Sequence, residues 1–113
     1  MNFTFFAIAA ALTASAPQPA PNVGMWVTTD DLPRGSLDPD EIAISSVLLT
    51  VSSKGRVSKC AVSSPSQQPE LDQLACKLMM KRGRYEPAVD ADGNRVESTD
   101  LRRVRWQMPK DRR

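Results

Sequence analysis

Between Ile42 and Gly83 the chain reads as an apolar strand, a turn ending in Gly, a second strand and a Pro-led amphipathic helix, and its only two cysteines fall on the last two of these elements. Ile44 to Val51 is rich in β-branched and apolar residues, and Ser52-Ser53-Lys54-Gly55 supplies the turn. Arg56 to Ser63 follows, so Ile42 to Ser64 is expected to form a β-hairpin. Val47, Leu49 and Val51 alternate cleanly. Val57 and Val62 differ in pleat parity, which requires either a bulge between them or cover on both sheet faces. The helix is expected to begin at about Pro69 or Glu70, where Pro is tolerated and Glu70 and Asp72 face the positive end of the helix dipole. Leu71, Leu74, Ala75 and Leu78 form its apolar stripe. Lys77, Lys81 and Arg82 come near its end, with Gly83 as the stop.

Cys60 lies on the second strand and Cys76 on the flank of the helical stripe, so a helix packed across that strand would let them meet. A bond between them would close a loop of about 16 residues and contribute roughly 3 kcal/mol in the chain-entropy estimate. Two free buried thiols are the alternative. Beyond the helix, Asp90-Ala91-Asp92-Gly93-Asn94 is a strong turn cluster. Val104, Trp106 and Met108 then alternate with Arg103, Arg105 and Gln107, which describes a half-buried final strand with a basic outer row. The expected fold class is α+β: a three-stranded antiparallel sheet with one packed helix, in the order strand, strand, helix, strand, preceded by an irregular N-terminal segment.

The first 29 residues carry no charged side chain, and Phe5 to Leu12 is an unbroken apolar run. Eight residues fall well short of the roughly 20 that a spanning helix needs. With small residues at Ala14, Ser15 and Ala16 behind it, the run reads as the core of a secretory signal peptide covering residues 1–16. The alternating prolines of Ala16 to Pro21 suggest an extended, unpaired linker over 17–24. Asp31-Leu32-Pro33 marks a turn or a short capped helical piece, and regular structure is expected from about Glu41. The domain proper is assigned to 25–109 and a basic tail to 110–113. About 90 residues would remain to fold after cleavage, a size that buries only about 60–65% of its unfolded surface. A cross-link between Cys60 and Cys76 would then matter to stability, and an oxidising compartment would permit it.

The 113 residues contain no His, which removes the commonest general base and metal ligand. Asp90-Ala91-Asp92-Gly93 lacks the further ligands of a calcium loop and is read as a plain turn. No Gly-rich phosphate loop is present. The expectation is a non-enzymatic domain with no catalytic residues, no cofactor and no metal. Charge is uneven: residues 25–50 carry a net −4 and residues 51–113 a net +6. The basic row is read either as a surface for an anionic partner or as a solvated strand face protected from edge-to-edge association. Nucleic acid is not expected as a partner, because only Trp106 interleaves these bases.

Several stretches together resemble the C-terminal domain of the TonB family. They are Asp31-Leu32-Pro33, Val47-Leu48-Leu49-Thr50-Val51, Lys54-Gly55-Arg56-Val57, Val62-Ser63-Ser64, Leu71-Asp72, Tyr85-Glu86-Pro87-Ala88, Gly93 and Val104-Arg105-Trp106. The chain departs from the family where Ser63-Ser64-Pro65 stands for its usual Ser-Ser-Gly and Gly83-Arg84-Tyr85 for its Trp-x-Phe. The resemblance implies a periplasmic protein-binding module that accepts an extended segment of an outer-membrane receptor, or of another periplasmic protein, by strand addition. Carried onto this chain, the candidate binding edge is the final strand, with Thr99, Leu101, Arg103, Val104, Arg105 and Trp106. Membrane contact would be at most peripheral, with an N-terminal tether to the inner membrane as the alternative location. A full transducer carries a membrane-spanning anchor and a long Pro-rich spacer, whereas the apolar and Pro-containing runs here are short. The second functional reading is therefore a stand-alone structural or accessory periplasmic domain without an energy-transducing role.

Overall fold

The computed structural model describes residues 13–108. Most of the expected signal peptide, Pro109 and the basic tail lie outside the described residues. In chain order the elements are β1 (Gln18–Pro19), 3-10 helices at Pro21–Met25 and Thr29–Asp31, β2 (Ile42–Val51), β3 (Val57–Ser64), α1 (Pro69–Arg82), β4 (Tyr85–Glu86), β5 (Ala88–Val89), β6 (Arg95–Val96) and β7 (Ser98–Gln107). The main sheet is antiparallel with strand order β3-β2-β7, and α1 packs on one face of it. This is the α+β arrangement that the sequence predicts. Two small two-stranded sheets, β1 with β4 and β5 with β6, are additions it did not announce. Among the described residues no helix is long and apolar enough to cross a membrane.

β2 occupies the centre because its odd positions can all be buried. Ala43, Ser45, Val47, Leu49 and Val51 face α1, which returns Leu71, Ala75, Leu78 and Met79. Val47, Leu49 and Val51 are completely buried, and each such side chain stabilises the fold by roughly 1.5–3 kcal/mol relative to an exposed one.

The parity conflict on the second strand resolves as bulges. Val51 opposes Val57 while Thr50 opposes Lys59, leaving Ser58 as the extra residue. A second register shift leaves Ser63 extra, between Val62 opposite Val47 and Ser64 opposite Ser46. Each bulged serine turns its hydroxyl back onto β2: Ser58 Oγ donates to the Thr50 carbonyl at 3.3 Å and Ser63 Oγ to the Ser46 carbonyl at 3.2 Å. A hydroxyl thus bonds the central strand where the ladder is interrupted. The first bulge also restores Cys60 to the helix face, opposite Leu49. There its sulfur is bonded to that of Cys76, with the Cα atoms 5.5 Å apart.

Two glycines set the chain path around this joint, for different reasons. Gly55 has φ +83°, and a Cβ there would run into the Tyr85 carbonyl oxygen. The Tyr85 N–H donates to the Gly55 carbonyl at 2.8 Å, closing the hairpin turn onto the chain leaving α1. Gly83 ends α1 as expected, but not through a left-handed cap, since its φ is −64°. It is glycine for space: an added Cβ would lie 2.8 Å from a Val57 methyl and 2.5 Å from the Met79 carbonyl oxygen.

The expectation of an unpaired segment over 17–24, with regular structure from Glu41, is corrected. Gln18 and Pro19 pair with Glu86 and Tyr85, and the Ala20 N–H donates to the Arg84 carbonyl at 2.9 Å. The 3-10 helix that follows delivers Trp26 to the core, where it is 1% exposed and packs on Tyr85 with ring centroids 5.5 Å apart. An indole this large has more to gain from burial than a short Pro-rich stretch has from freedom. The turn at Asp31 is a capped helical piece as expected, with Thr28 and Asp31 forming a reciprocal capping box.

Replacing both cysteines, Cys60→Ser with Cys76→Ser, should lower unfolding stability by about 3 kcal/mol. Urea denaturation without reductant reads this as a lower midpoint, with a slope that rises to the extent that the uncross-linked unfolded chain exposes more surface. Equal midpoints for the two proteins would show that α1 is held to β3 by packing alone.

Candidate functional site

β7 is a terminal strand of the main sheet. Its ten residues pair with β2 in unbroken register, from Ser98 opposite Val51 to Gln107 opposite Ile42. Its other edge has no backbone partner among the described residues. The opposite edge strand, β3, is bent by two bulges, cross-linked to α1 and capped at its start by the bridge between Arg56 and Arg84. Bulges and covering elements discourage strand addition, so the two edges are not equivalent. β7 is the longer and straighter.

The residues singled out on this strand divide by parity. Val104 and Trp106 point into the core, at 5% and 2% exposure, while Thr99, Leu101, Arg103 and Arg105 are exposed on the outer face. Beside the second half of β7 runs the N-terminal segment from Val23 to Leu32, and two clefts lie between them. One, of about 240 Å³, is bounded by Val27, Thr28, Leu32, Trp106 and Gln107. The other, of about 190 Å³, is bounded by Val23, Met79, Val104 and the arginines 102, 103 and 105. Gly24 lines both, and a Cβ placed on it would meet nothing within 4 Å. The edge is therefore flanked by hollows of mixed lining, with aliphatic and indole side chains beside arginines, threonines and a glutamine.

Polar contacts hold both walls of these clefts in place. The Trp106 indole N–H donates to Ser45 Oγ at 3.0 Å, and Ser45 Oγ donates in turn to Asp72 Oδ1 at 2.6 Å. The Ser66 backbone N–H donates to both Asp72 oxygens at 3.1 Å. One relay thus joins β7, β2 and the first turn of α1 through the interior. Burial pushes the Asp72 carboxyl up, but the hydrogen bonds from Ser45 and Ser66 outweigh it and hold the group below the usual carboxylate range. On the other wall, Arg82 makes a two-pronged ion pair with Asp31, at 2.8 and 3.0 Å, and its Nη1 also donates to the Trp26 carbonyl at 3.0 Å. The Arg82 hydrogen bond holds the Asp31 carboxyl below its usual range, against the opposing effect of burial. Near the start of β7, Tyr85 Oη donates to Asp100 Oδ2 at 2.6 Å. Burial, and then that bond, push the phenol up.

Cys60 and Cys76 are bonded to each other, and β7, which carries the six residues named from sequence, lies at one side of the sheet. Sequence reasoning did not single out Val23, Gly24, Val27 and Leu32 as one wall, nor Ser45 and Asp72 as a pair. Trp26 carried the available signal for the wall, as a large aromatic in a segment with few other apolar residues. Asp90 serves its own turn: its Oδ1 accepts from the N–H groups of Asp92 and Asn94, both at 2.9 Å.

The family model described as Gram-negative bacterial TonB protein C-terminal matches residues 43–108. That span runs from the second residue of β2 to the residue after β7, and so contains α1 and all of the main sheet except Ile42. No curated protein matches the chain.

Asp31 and Asp72 both have folded-state pKa values lowered below their ordinary ones. A lowered value means that each contributes stability above about pH 4 and loses it as pH falls through the folded value. Unfolding midpoints should therefore drop as pH falls below about 4. Asp72→Asn should be less stable at neutral pH, with a shallower acid limb. Ser45→Ala, which leaves the buried carboxylate and indole short of a partner, should cost about 1–3 kcal/mol at pH 7. Urea titrations across the pH series measure all three, and an unchanged acid limb in Asp72→Asn would exclude that carboxylate as the titrating group.

Proposed function

The chain belongs to the family of C-terminal domains of the Gram-negative bacterial TonB protein, and from that premise we propose that it is a periplasmic protein-binding module that accepts an extended peptide along the outer edge of β7. The observation that carries this reading is a ten-residue strand in unbroken register on one side and without a backbone partner, among the described residues, on the other. An added strand would draw on main-chain hydrogen bonds for affinity and on side-chain hollows for specificity. The clefts beside Val104 and Trp106 are the hollows in position to do so. The family's general association with outer-membrane receptors makes the N-terminal plug segment of such a receptor the proposed ligand.

The rigid parts of the domain suit this task. The Trp106–Ser45–Asp72 relay and the Arg82–Asp31 pair fix the edge and its flanking segment independently of any ligand. Binding would then cost ordering mainly on the peptide side. No step in this mechanism needs a nucleophile, a cofactor or a metal.

The test uses the oxidised full chain and synthetic extended peptides from receptor plug segments, followed by amide chemical shifts and by titration. Shifts should concentrate on residues 98–107 and on the Val23–Leu32 segment. Gly24→Leu, which fills the clefts with little strain in the fold, should weaken binding at least about tenfold, since one misplaced side chain in an interface can remove 1–3 kcal/mol. Absence of binding by any plug peptide to the folded, oxidised protein would overturn the proposal. So would shifts confined to β3.

A further inference from the structure

The outer face of the main sheet, away from α1, departs from the usual pattern of an antiparallel sheet with one wet side. Its central strand carries Ile42, Ile44 and Leu48 where polar residues are expected, and Leu101 on β7 stands directly opposite Leu48. All four are 37–56% exposed. Ala61 of β3 flanks Leu48 on its other side. Along the row from Ile42 to Leu48 these side chains extend about 20 Å. No element among the described residues covers them.

The same face is cationic without counter-charge. Arg105 lies opposite Ile44, Arg103 opposite Ser46, and Lys59 opposite Thr50. None of the three has an ion pair among the described residues. The remaining outward positions, Ser46, Thr50, Ser64, Thr99 and Gln107, are uncharged, so no acid stands on the face. The sequence then places Lys110, Arg112 and Arg113 within six residues of the end of β7. Charge complementarity calls for an anionic occupant. A second copy of this face would bring like charges together, which disfavours self-pairing.

Shape separates the remaining candidates. Protein partners anchor large side chains in pockets, and neither cleft described above is lined by any of the four aliphatic residues. An exposed apolar row that enters no cleft, beside long cationic side chains, instead matches a membrane surface, where aliphatic groups enter the interfacial layer and guanidinium groups reach headgroup phosphates. We infer that the outer sheet face, through Ile42, Ile44, Leu48 and Leu101 with Lys59, Arg103 and Arg105, docks flat on an anionic phospholipid surface. The docking plane shares Arg103 and Arg105 with the rims of the clefts beside the β7 edge, but its aliphatic row is centred on β2, so it does not require that the edge accept a peptide.

The experiment is co-sedimentation of the full oxidised chain with phosphatidylcholine vesicles, with and without phosphatidylglycerol. Binding should require phosphatidylglycerol and weaken as salt is raised. Two double variants, Arg103→Glu with Arg105→Glu and Ile44→Ser with Leu48→Ser, should each reduce it at least about tenfold, while circular dichroism shows the fold intact. Because all four positions are exposed, unfolding of one variant leaves the other to decide. Failure of the wild-type protein to bind phosphatidylglycerol vesicles overturns the inference. Undiminished binding by both variants also overturns it, and would move the contact to another part of the chain, such as the apolar run Phe5–Leu12. Binding of poly-glutamate without binding of vesicles would overturn it in favour of an acidic protein segment.

Discussion

A single buried hydroxyl joins the three elements on which this domain is built. Ser45 sits in the middle of the central strand, completely buried, accepting from the Trp106 indole and donating to the Asp72 carboxylate. A buried carboxylate is tolerated only with its lone pairs occupied, and here Ser45 and the Ser66 backbone occupy them. The consequence is positional. The start of α1, the centre of β2 and the far end of β7 cannot shift independently without leaving a buried polar group short of a partner. That constraint fixes the outermost strand from inside, so its outer edge needs no partner to stay in place.

The N-terminal segment completes the core and at the same time shapes the site. Trp26 joins the buried cluster that also holds Met79, Tyr85, Val104 and Trp106, with its ring against Tyr85, and the Arg82–Asp31 pair holds the segment against the end of α1. Because the segment lies beside β7 rather than on it, the edge keeps its free side and gains two flanking hollows. The disulfide acts on the opposite flank, where it anchors α1 to the bulged strand β3. Its two strand edges therefore differ in kind: one bent and cross-linked, the other straight and open.

The hairpin, the helix and the final strand were legible because each has a local period: two for Val47-Leu49-Val51 and Val104-Trp106-Met108, and three to four for Leu71-Leu74-Ala75-Leu78. The cysteine pairing was legible as one of two alternatives, because a helix packed across the second strand would bring its flank to Cys60. The N-terminal segment was not. Its prolines argue for an extended chain, which it partly is, but pairing Gln18 and Pro19 with β4 requires a partner nearly seventy residues away. Ser45 carried no signal of its own within a stretch rich in apolar residues, and Asp72 was read as a charge serving the helix dipole. Their common role depends on a contact across 27 positions that no periodicity reveals.

By itself, then, the sequence determined which stretches are strands, which is a helix and which side of each is apolar, since those properties follow from the spacing of side chains along a few turns or pleats. It also determined that the last strand carries a basic outer row. Only the tertiary structure decided that Ser58 and Ser63 are the bulged residues, that Trp26 closes the core, and that β7 rather than β3 presents the straight edge. Those outcomes are settled by register and by contacts between distant segments, where the position of one residue depends on the burial of many others.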